Sequence, residues 1–509
     1  MPGLSGLFGP KAAGHPLADP VQRQHILDDL PVDNAYKALD EISGWLESLQ
    51  AAGDFPRDRI YEAARQLELA AQPHLKRLAH EYLHTARLTR NDEKRLWTIN
   101  HGFWTLLAAA YERGLPGGEP NPRAATELKN SLPLLATRLI AALGASLKWE
   151  RFRYGPTPGQ VWLRLGKVLA LAELAGVADK STPQPGGPSS ARQEYLKIMA
   201  FHAASTDTLL PLEVEIAERL IKHFLPLFVF TDAAEEDSVY WVDLKLPQQP
   251  LRLAQMPAQA SWSQRFFKPG KANAAIVDLL RQFELGRGLP PDLDFGEQYE
   301  PRQLLPVLRH LAAYLAPVPP QRRFDRHRVK HRMSVLNGLV NAYVVFSGDF
   351  GSRPAGLPME SWVVENVSRG GFGTQFDTAP ADWVKVGALV ALQPDGGDNW
   401  LLGVVRRYNR ETEQASRVGI EAIARQAFAV ELKPRSASAT NAAAAIPALL
   451  LAEDAKTEQV RLILPAAAYD SRQSYEYALA GQRYLLLPVA VVERSRDYEI
   501  ARFRQNPLA

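Results

Sequence analysis

From residue 32 to about 232, apolar side chains recur every three or four positions. In Asn34–Gln50, the residues Ala35, Leu39, Ile42, Trp45, Leu46 and Leu49 line one face of an amphipathic helix. The same period predicts helices over about 56–86, 91–113, 121–149, 157–177, 190–204 and 210–228, with cap-plus-proline starts at Asn121-Pro122 and Thr157-Pro158. The Pro- and Gly-rich stretch Ser181–Ser190 reads as an interhelical linker. A short alternating run over Val239–Leu246 predicts a strand, and two more helices follow near 272–285 and 300–315. No fixed repeat period is visible, so a bundle or irregular helical array is expected rather than a solenoid.

Pro317-Val318-Pro319-Pro320 ends the last helix and marks the strongest boundary. Beyond it the period drops to two. Runs at Val335–Phe346, Ser361–Glu365, Gly373–Phe376, Leu389–Leu392, Trp400–Tyr408 and Arg417–Ile423 predict six short strands separated by turn clusters. Six strands in so short a span suggest a closed antiparallel barrel. After a Ser/Ala linker at Arg435–Ala445, runs at Ala448–Ala452, Gln459–Leu464, Arg483–Glu493 and Tyr498–Phe503 predict a smaller β unit. The expected fold class is multidomain α+β. A flexible arm (1–30) precedes a large, mainly helical domain (31–316), a six-stranded antiparallel β-barrel (320–434) and a small C-terminal β unit (446–509).

Composition narrows the chemistry. The 509 residues carry 59 basic and 56 acidic side chains, a net charge of +3, so any polyanion recognition must come from a local patch. The chain has no cysteine, which excludes disulfides, thiolate metal sites and cysteine nucleophiles and fits a cytoplasmic setting. Apolar stretches are interrupted before they reach the length of a membrane span, at Arg138 in one run and at Arg164, Lys167 and Glu173 in another, so no membrane span is expected.

One segment concentrates charge. Gln321–Arg332 holds five arginines, one lysine and a single acid. Arginine offers a planar fork that matches phosphate oxygens and stacks on flat rings. About 40 residues on, Glu365-Asn366-Val367-Ser368-Arg369-Gly370-Gly371 places two short polar side chains at alternate positions, followed by glycines that allow close backbone approach. Together these read as an anion clamp beside a hydrogen-bonding edge, a design suited to a nucleotide. In these two motifs the sequence resembles the PilZ family of cyclic di-GMP receptors, over about residues 320–430. Arg322-Arg323-Phe324-Asp325-Arg326 is similar to that family's RxxxR stretch, and Asn366-Val367-Ser368-Arg369-Gly370-Gly371 to its [D/N]xSxxG stretch. The resemblance implies a PilZ-like barrel with cyclic di-GMP as ligand. Arg322 and Arg326, with Arg323, would grip phosphates and guanine faces. Asn366 and Ser368 would bond guanine edges, and Gly370 and Gly371 would shape the turn. Arg328-xxx-Arg332 offers a second register for the first motif. The leading expectation is a receptor without catalysis or cofactor. The arginine stretch would be mobile until ligand orders it, and the helical domain would relay occupancy to an unknown protein partner.

Three other readings stand beside it. A barrel without ligand would make the chain a scaffold. Nucleic-acid binding through Arg322–Arg332 is not expected; it would show steep salt dependence with little preference for the cyclic dinucleotide. His80-Glu81-Tyr82-Leu83-His84 is a literal HExxH on a predicted helix and would suit a zinc hydrolase, but a third ligand is missing unless Glu93 or Glu112 supplies it. Asp395–Asn399 reads as a strand-connecting turn rather than a calcium loop. Trp97, Phe103 and Trp104 read as helix core.

Overall fold

In the computed structural model, the described residues are 14–508 apart from 86–87, 116–121, 128–129, 254–258, 260, 291–292, 294, 296–298, 322–323, 349–357, 377–380, 382, 398, 413–414, 436–443 and 453–458. The chain forms two compact units. One comprises Met1–Arg153 and Thr157–Pro320; the other comprises Tyr154–Pro156 and Gln321–Ala509.

The first unit holds eleven α-helices among the described residues: α1 (Pro20–Asp28), α2 (Ala35–Ala51), α3 (Arg57–His84), α4 (Arg90–Arg113), α5 (Pro122–Glu127), α6 (Leu132–Phe152), α7 (Gly159–Leu174), α8 (Ala191–Ala203), α9 (Pro211–Phe224), α10 (Ala272–Glu284) and α11 (Pro301–Tyr314). Between α9 and α10 lie β1 (Val229–Thr231), β2 (Tyr240–Asp243), β3 (Leu251–Arg252) and β4 (Gln264–Lys268), an antiparallel sheet of order β1-β4-β2-β3. The predicted amphipathic face of α2 is the buried one: Leu39, Ile42, Leu46 and Leu49 are within 1% of full burial. α6 packs against α4, α7, α8 and α9. It is the one described helix long and apolar enough to cross a membrane, and 67% of its most apolar window is buried inside this unit. Arg138, which breaks the apolar run in the sequence, lies 5% exposed in this helix. Its guanidinium meets Glu68 at 2.7 Å, and Glu68 also accepts the Tyr111 hydroxyl proton at 2.5 Å. The buried charge is tolerated because it is paired.

Residues 14–30 depart from the expected flexible arm. The Asp19 carboxylate accepts the N–H groups of Val21 and Gln22, Pro20 starts α1, and Leu17 is fully buried. Arg23 is tied to Gln66 at 2.6 Å and to the Leu17 carbonyl at 2.8 Å. An N-cap and one buried anchor dock a segment whose composition alone reads as loose.

The second unit is two closed six-stranded antiparallel barrels. The first contains β5 (His327–Asn337), β6 (Glu360–Ser368), β7 (Gly371–Phe376), β8 (Leu389–Pro394), β9 (Leu401–Arg410) and β10 (Ser416–Ala424), with α12 (Gly338–Phe346) after β5. The second contains β11 (Ala427–Pro434), β12 (Ile446–Leu451), β13 (Gln459–Pro465), β14 (Tyr475–Leu479), β15 (Gln482–Arg494) and β16 (Tyr498–Leu508). Around each barrel the strands follow one cyclic order: first, second, third, sixth, fifth, fourth. Leu339, Ala342 and Val345 of α12 join Leu389 and Leu402 of the first barrel and Leu449, Ile463 and Ile500 of the second in one apolar core.

Three expectations change here. Val335–Phe346 is not one strand. The chain leaves β5 at Gly338, whose φ of +80° suits glycine, and continues as α12. The C-terminal β unit is a full barrel, and its first strand, β11, lies within the 320–434 span assigned to the other. The arginine stretch is ordered from His327 onward. His327, Arg328, His331 and Arg332 are paired with β6, although their side chains are exposed. The ladder pairs the backbone of this segment with β6 while its charges stay in water.

Candidate functional site

Strand pairing brings the two motifs together. Arg328 of β5 lies opposite Asn366 of β6, and Asn366 lies opposite Gly373 of β7, with register shifts beside both pairs. A Cβ built on Gly373 would stand 2.5–2.8 Å from the Asn366 amide, so that amide lies flat over the Gly373 backbone. At Gly370 a Cβ would stand 3.0 Å from the Phe324 ring. Phe324, from the middle of the arginine segment, therefore packs on the turn between β6 and β7. The Arg369 guanidinium lies 5.9 Å from the centre of the same ring. Gly371 has φ +155°, and a Cβ there would fall 2.0 Å from the Ile420 carbonyl oxygen of β10. Only glycine lets β7 begin this close to its neighbour. The Ser368 hydroxyl donates across the turn to the Gly371 carbonyl at 3.4 Å.

A hollow of about 670 Å³ opens on the outer face of these strands, lined by Arg328, Lys330, Glu365, Asn366, Gln375 and Arg417 among others. Of the residues singled out in the sequence, Asn366, Ser368, Gly370 and Gly371 form the β6–β7 hairpin, and Arg326 is exposed just before β5. Arg322 and Arg323 lie outside the described residues. Phe324, Lys330, Gln375 and Arg417 were not singled out. Phe324 lay within the motif, but nothing in its spacing shows that it packs on Gly370. Arg417 reaches the hollow only because β10 closes the barrel against β7.

In the helical unit, His80 and His84 stack with ring centroids 4.4 Å apart on α3. Burial lowers the His84 pKa, and His80 and Arg219 lower it further. Both line a cavity of about 640 Å³. Its wall carries an alternating ion chain: Lys197 meets Glu194 at 2.7 Å, and Lys148 meets Glu218 at 2.6 Å and Glu215 at 2.9 Å. Glu112 is bound to Arg164 at 2.8 Å. No group of three histidine or carboxylate side chains among the described residues is placed to hold a metal ion. The HExxH match therefore does not assemble a zinc site among them.

Residues 22–235 match the family described as the N-terminal domain of the cyclic-di-GMP receptor FimW, and residues 354–428 match the middle PilZ domain of that receptor. The second match contains the Asn366–Gly371 hairpin, and the arginine stretch lies upstream of it. No curated protein matches the chain.

Proposed function

We propose that the chain, which belongs to the cyclic-di-GMP receptor FimW family by the two successive domains that match it, binds cyclic di-GMP on the outer face of its PilZ barrel. The observation that carries this reading is the junction of the two motifs: Phe324 on Gly370 and Arg328 opposite Asn366, at the edge of a basic hollow. Arg326 and its neighbours would grip phosphates and guanine faces, because a guanidinium both forks onto phosphate and stacks on rings. The Asn366 amide would read a guanine edge, and the Ser368 hydroxyl would turn from the Gly371 carbonyl toward the ligand. The reading assigns no catalytic step to the chain. It gives the helical unit, which has its own core and its own family match, the task of relaying occupancy to a protein partner.

Calorimetric titration with cyclic di-GMP against linear GMP tests the reading. Saturable binding of the cyclic dinucleotide alone is expected. Arg326→Ala should weaken it about tenfold or more, since one charge-assisted contact is worth about 1.5–3 kcal/mol. Absence of binding in the full-length protein would leave a ligand-free barrel acting as a scaffold.

A further inference from the structure

We propose that Arg417 of β10 is an additional ligand-gripping residue, held in check in the free protein by Glu365 and Glu411. The inference rests on the receptor reading above and adds to it a side chain that no motif marks. Register fixes which way Arg417 faces. It lies opposite Gln375, and Gln375 lies opposite Val363. The next row, Val418–Thr374–Val364, is 1–3% exposed and fills the barrel. Neighbouring positions on a strand point to opposite faces, so the Arg417 row points outward.

The hollow then has positive charge on two sides. Arg328 and Lys330 stand on β5, Arg417 stands two strands beyond β6, and Asn366 and Gln375 lie between them. A ligand with two phosphates, seated over the Asn366 amide, meets cations at both ends. The arginine segment alone would serve one end.

Arg417 is engaged before any ligand arrives. Its Nη1 is 2.9 Å from a Glu411 oxygen, and its Nε is 3.7 Å from a Glu365 oxygen. Glu365 directly precedes Asn366 and lines the same hollow. An incoming phosphate must displace these carboxylates from the guanidinium and tolerate their charge nearby. The pair with Glu411 is more than half solvent-exposed on the arginine side, so it is weak enough to exchange. The two carboxylates would act as internal competitors that raise the ligand concentration at which the receptor fills.

The test is cyclic di-GMP titration of the full-length protein and its Arg417→Ala, Glu365→Gln, Glu411→Gln and Arg417→Ala/Glu365→Gln variants, each with a melting curve. Arg417→Ala should weaken binding roughly tenfold, the size of one charge-assisted contact, and flatten the salt dependence. Glu365→Gln and Glu411→Gln should tighten binding about two- to fivefold, the range of an exposed pair. The gain from Glu365→Gln should shrink once Arg417 is gone. A wild type that binds, with Arg417→Ala equal to it in affinity, overturns this inference and leaves the receptor reading intact. Glutamine variants that bind more weakly overturn the competitor role. A melting shift in Arg417→Ala without an affinity change would make Arg417 a clasp for the β9–β10 turn. A wild type that does not bind cyclic di-GMP overturns both readings.

Discussion

Gly373→Ala offers a test of the site through a residue that has no side chain of its own to bind ligand. The added methyl would stand 2.5–2.8 Å from three atoms of the Asn366 amide and meets no backbone within its nearest contacts. The amide ends a flexible side chain, so it rotates away rather than forcing the strands apart. An off-rotamer side chain costs about 0.5–1.5 kcal/mol. Replacing glycine by alanine in ordinary strand backbone returns about 0.4–1 kcal/mol by restricting the unfolded chain. Stability should therefore change by less than about 1 kcal/mol. Affinity should fall by one neutral hydrogen bond, about 0.5–1.5 kcal/mol, or roughly two- to twelvefold. Calorimetry with cyclic di-GMP on Gly373→Ala, Asn366→Ala and the double variant gives the coupling. If the methyl acts through Asn366, it has no further effect once Asn366 is alanine. An equal loss in both backgrounds, or unchanged affinity in Gly373→Ala, would refute the reasoning.

Gly371→Ala should behave differently: its methyl would sit 2.0 Å from a backbone carbonyl, so thermal unfolding should show a loss of at least about 2 kcal/mol. His202 of α8 is half-buried, its ring edge-on to Trp162 and its Nε2–H directed to the Pro250 carbonyl at 3.2 Å. Burial, with Arg151 nearby, lowers its pKa to about 4. The unfolded imidazole protonates near 6.5, so this stability is full above pH 6.5 and is lost as the pH falls to 4, up to about 3 kcal/mol. Denaturant titrations at several pH values should show this slope, and His202→Gln should remove it. Lys148→Met removes the cation that Glu215 and Glu218 share, while Arg219 still meets Glu215 at 3.0 Å and Lys197 stays 4.0 Å from Glu218; it should cost about 1.5–3 kcal/mol in chemical denaturation, partly recovered by adding Glu218→Gln.

The fold was legible wherever burial follows a local period. α2 announces itself because Leu39, Ile42, Leu46 and Leu49 meet the core on one stripe. α12 did not, because Val340, Val344, Val345 and Phe346 carry strand propensity and its helix is settled by packing between two barrels. β14 was missed although Tyr475 and Tyr477 are buried at alternate positions. The two motifs of the site were readable because each is contiguous. The hollow they border was not, since Arg328, Gln375 and Arg417 become neighbours only through register across β5, β6, β7 and β10. Binding at the site remains the proposal that titration tests.

The shared strand order of the two barrels separates what the fold supplies from what the site needs. Both barrels pair first with second, second with third, third with sixth, and close through fifth and fourth. In the first, Gln321–Arg326 precedes the opening strand and lays Phe324 on the hairpin that follows the second strand. In the second, only Arg425-Gln426 separates β10 from the opening strand β11. Two residues cannot form a basic arm that reaches back over a hairpin. The residues after its second strand, Ala452-Glu453-Asp454-Ala455-Lys456-Thr457-Glu458, contain neither an Asn-x-Ser step nor a glycine, and they carry three acids against one lysine. The barrel topology is thus indifferent to ligand, as folds generally are to the sites they carry. The proposed receptor chemistry resides in the first barrel, in two short segments and the side chains that register brings beside them. The second copy instead gives its apolar face to α12, where Leu449, Ile463 and Ile500 complete the core that Leu339, Ala342 and Val345 begin. On this basis the receptor reading assigns cyclic di-GMP binding to the first barrel, with the second barrel sharing an apolar core with it through α12.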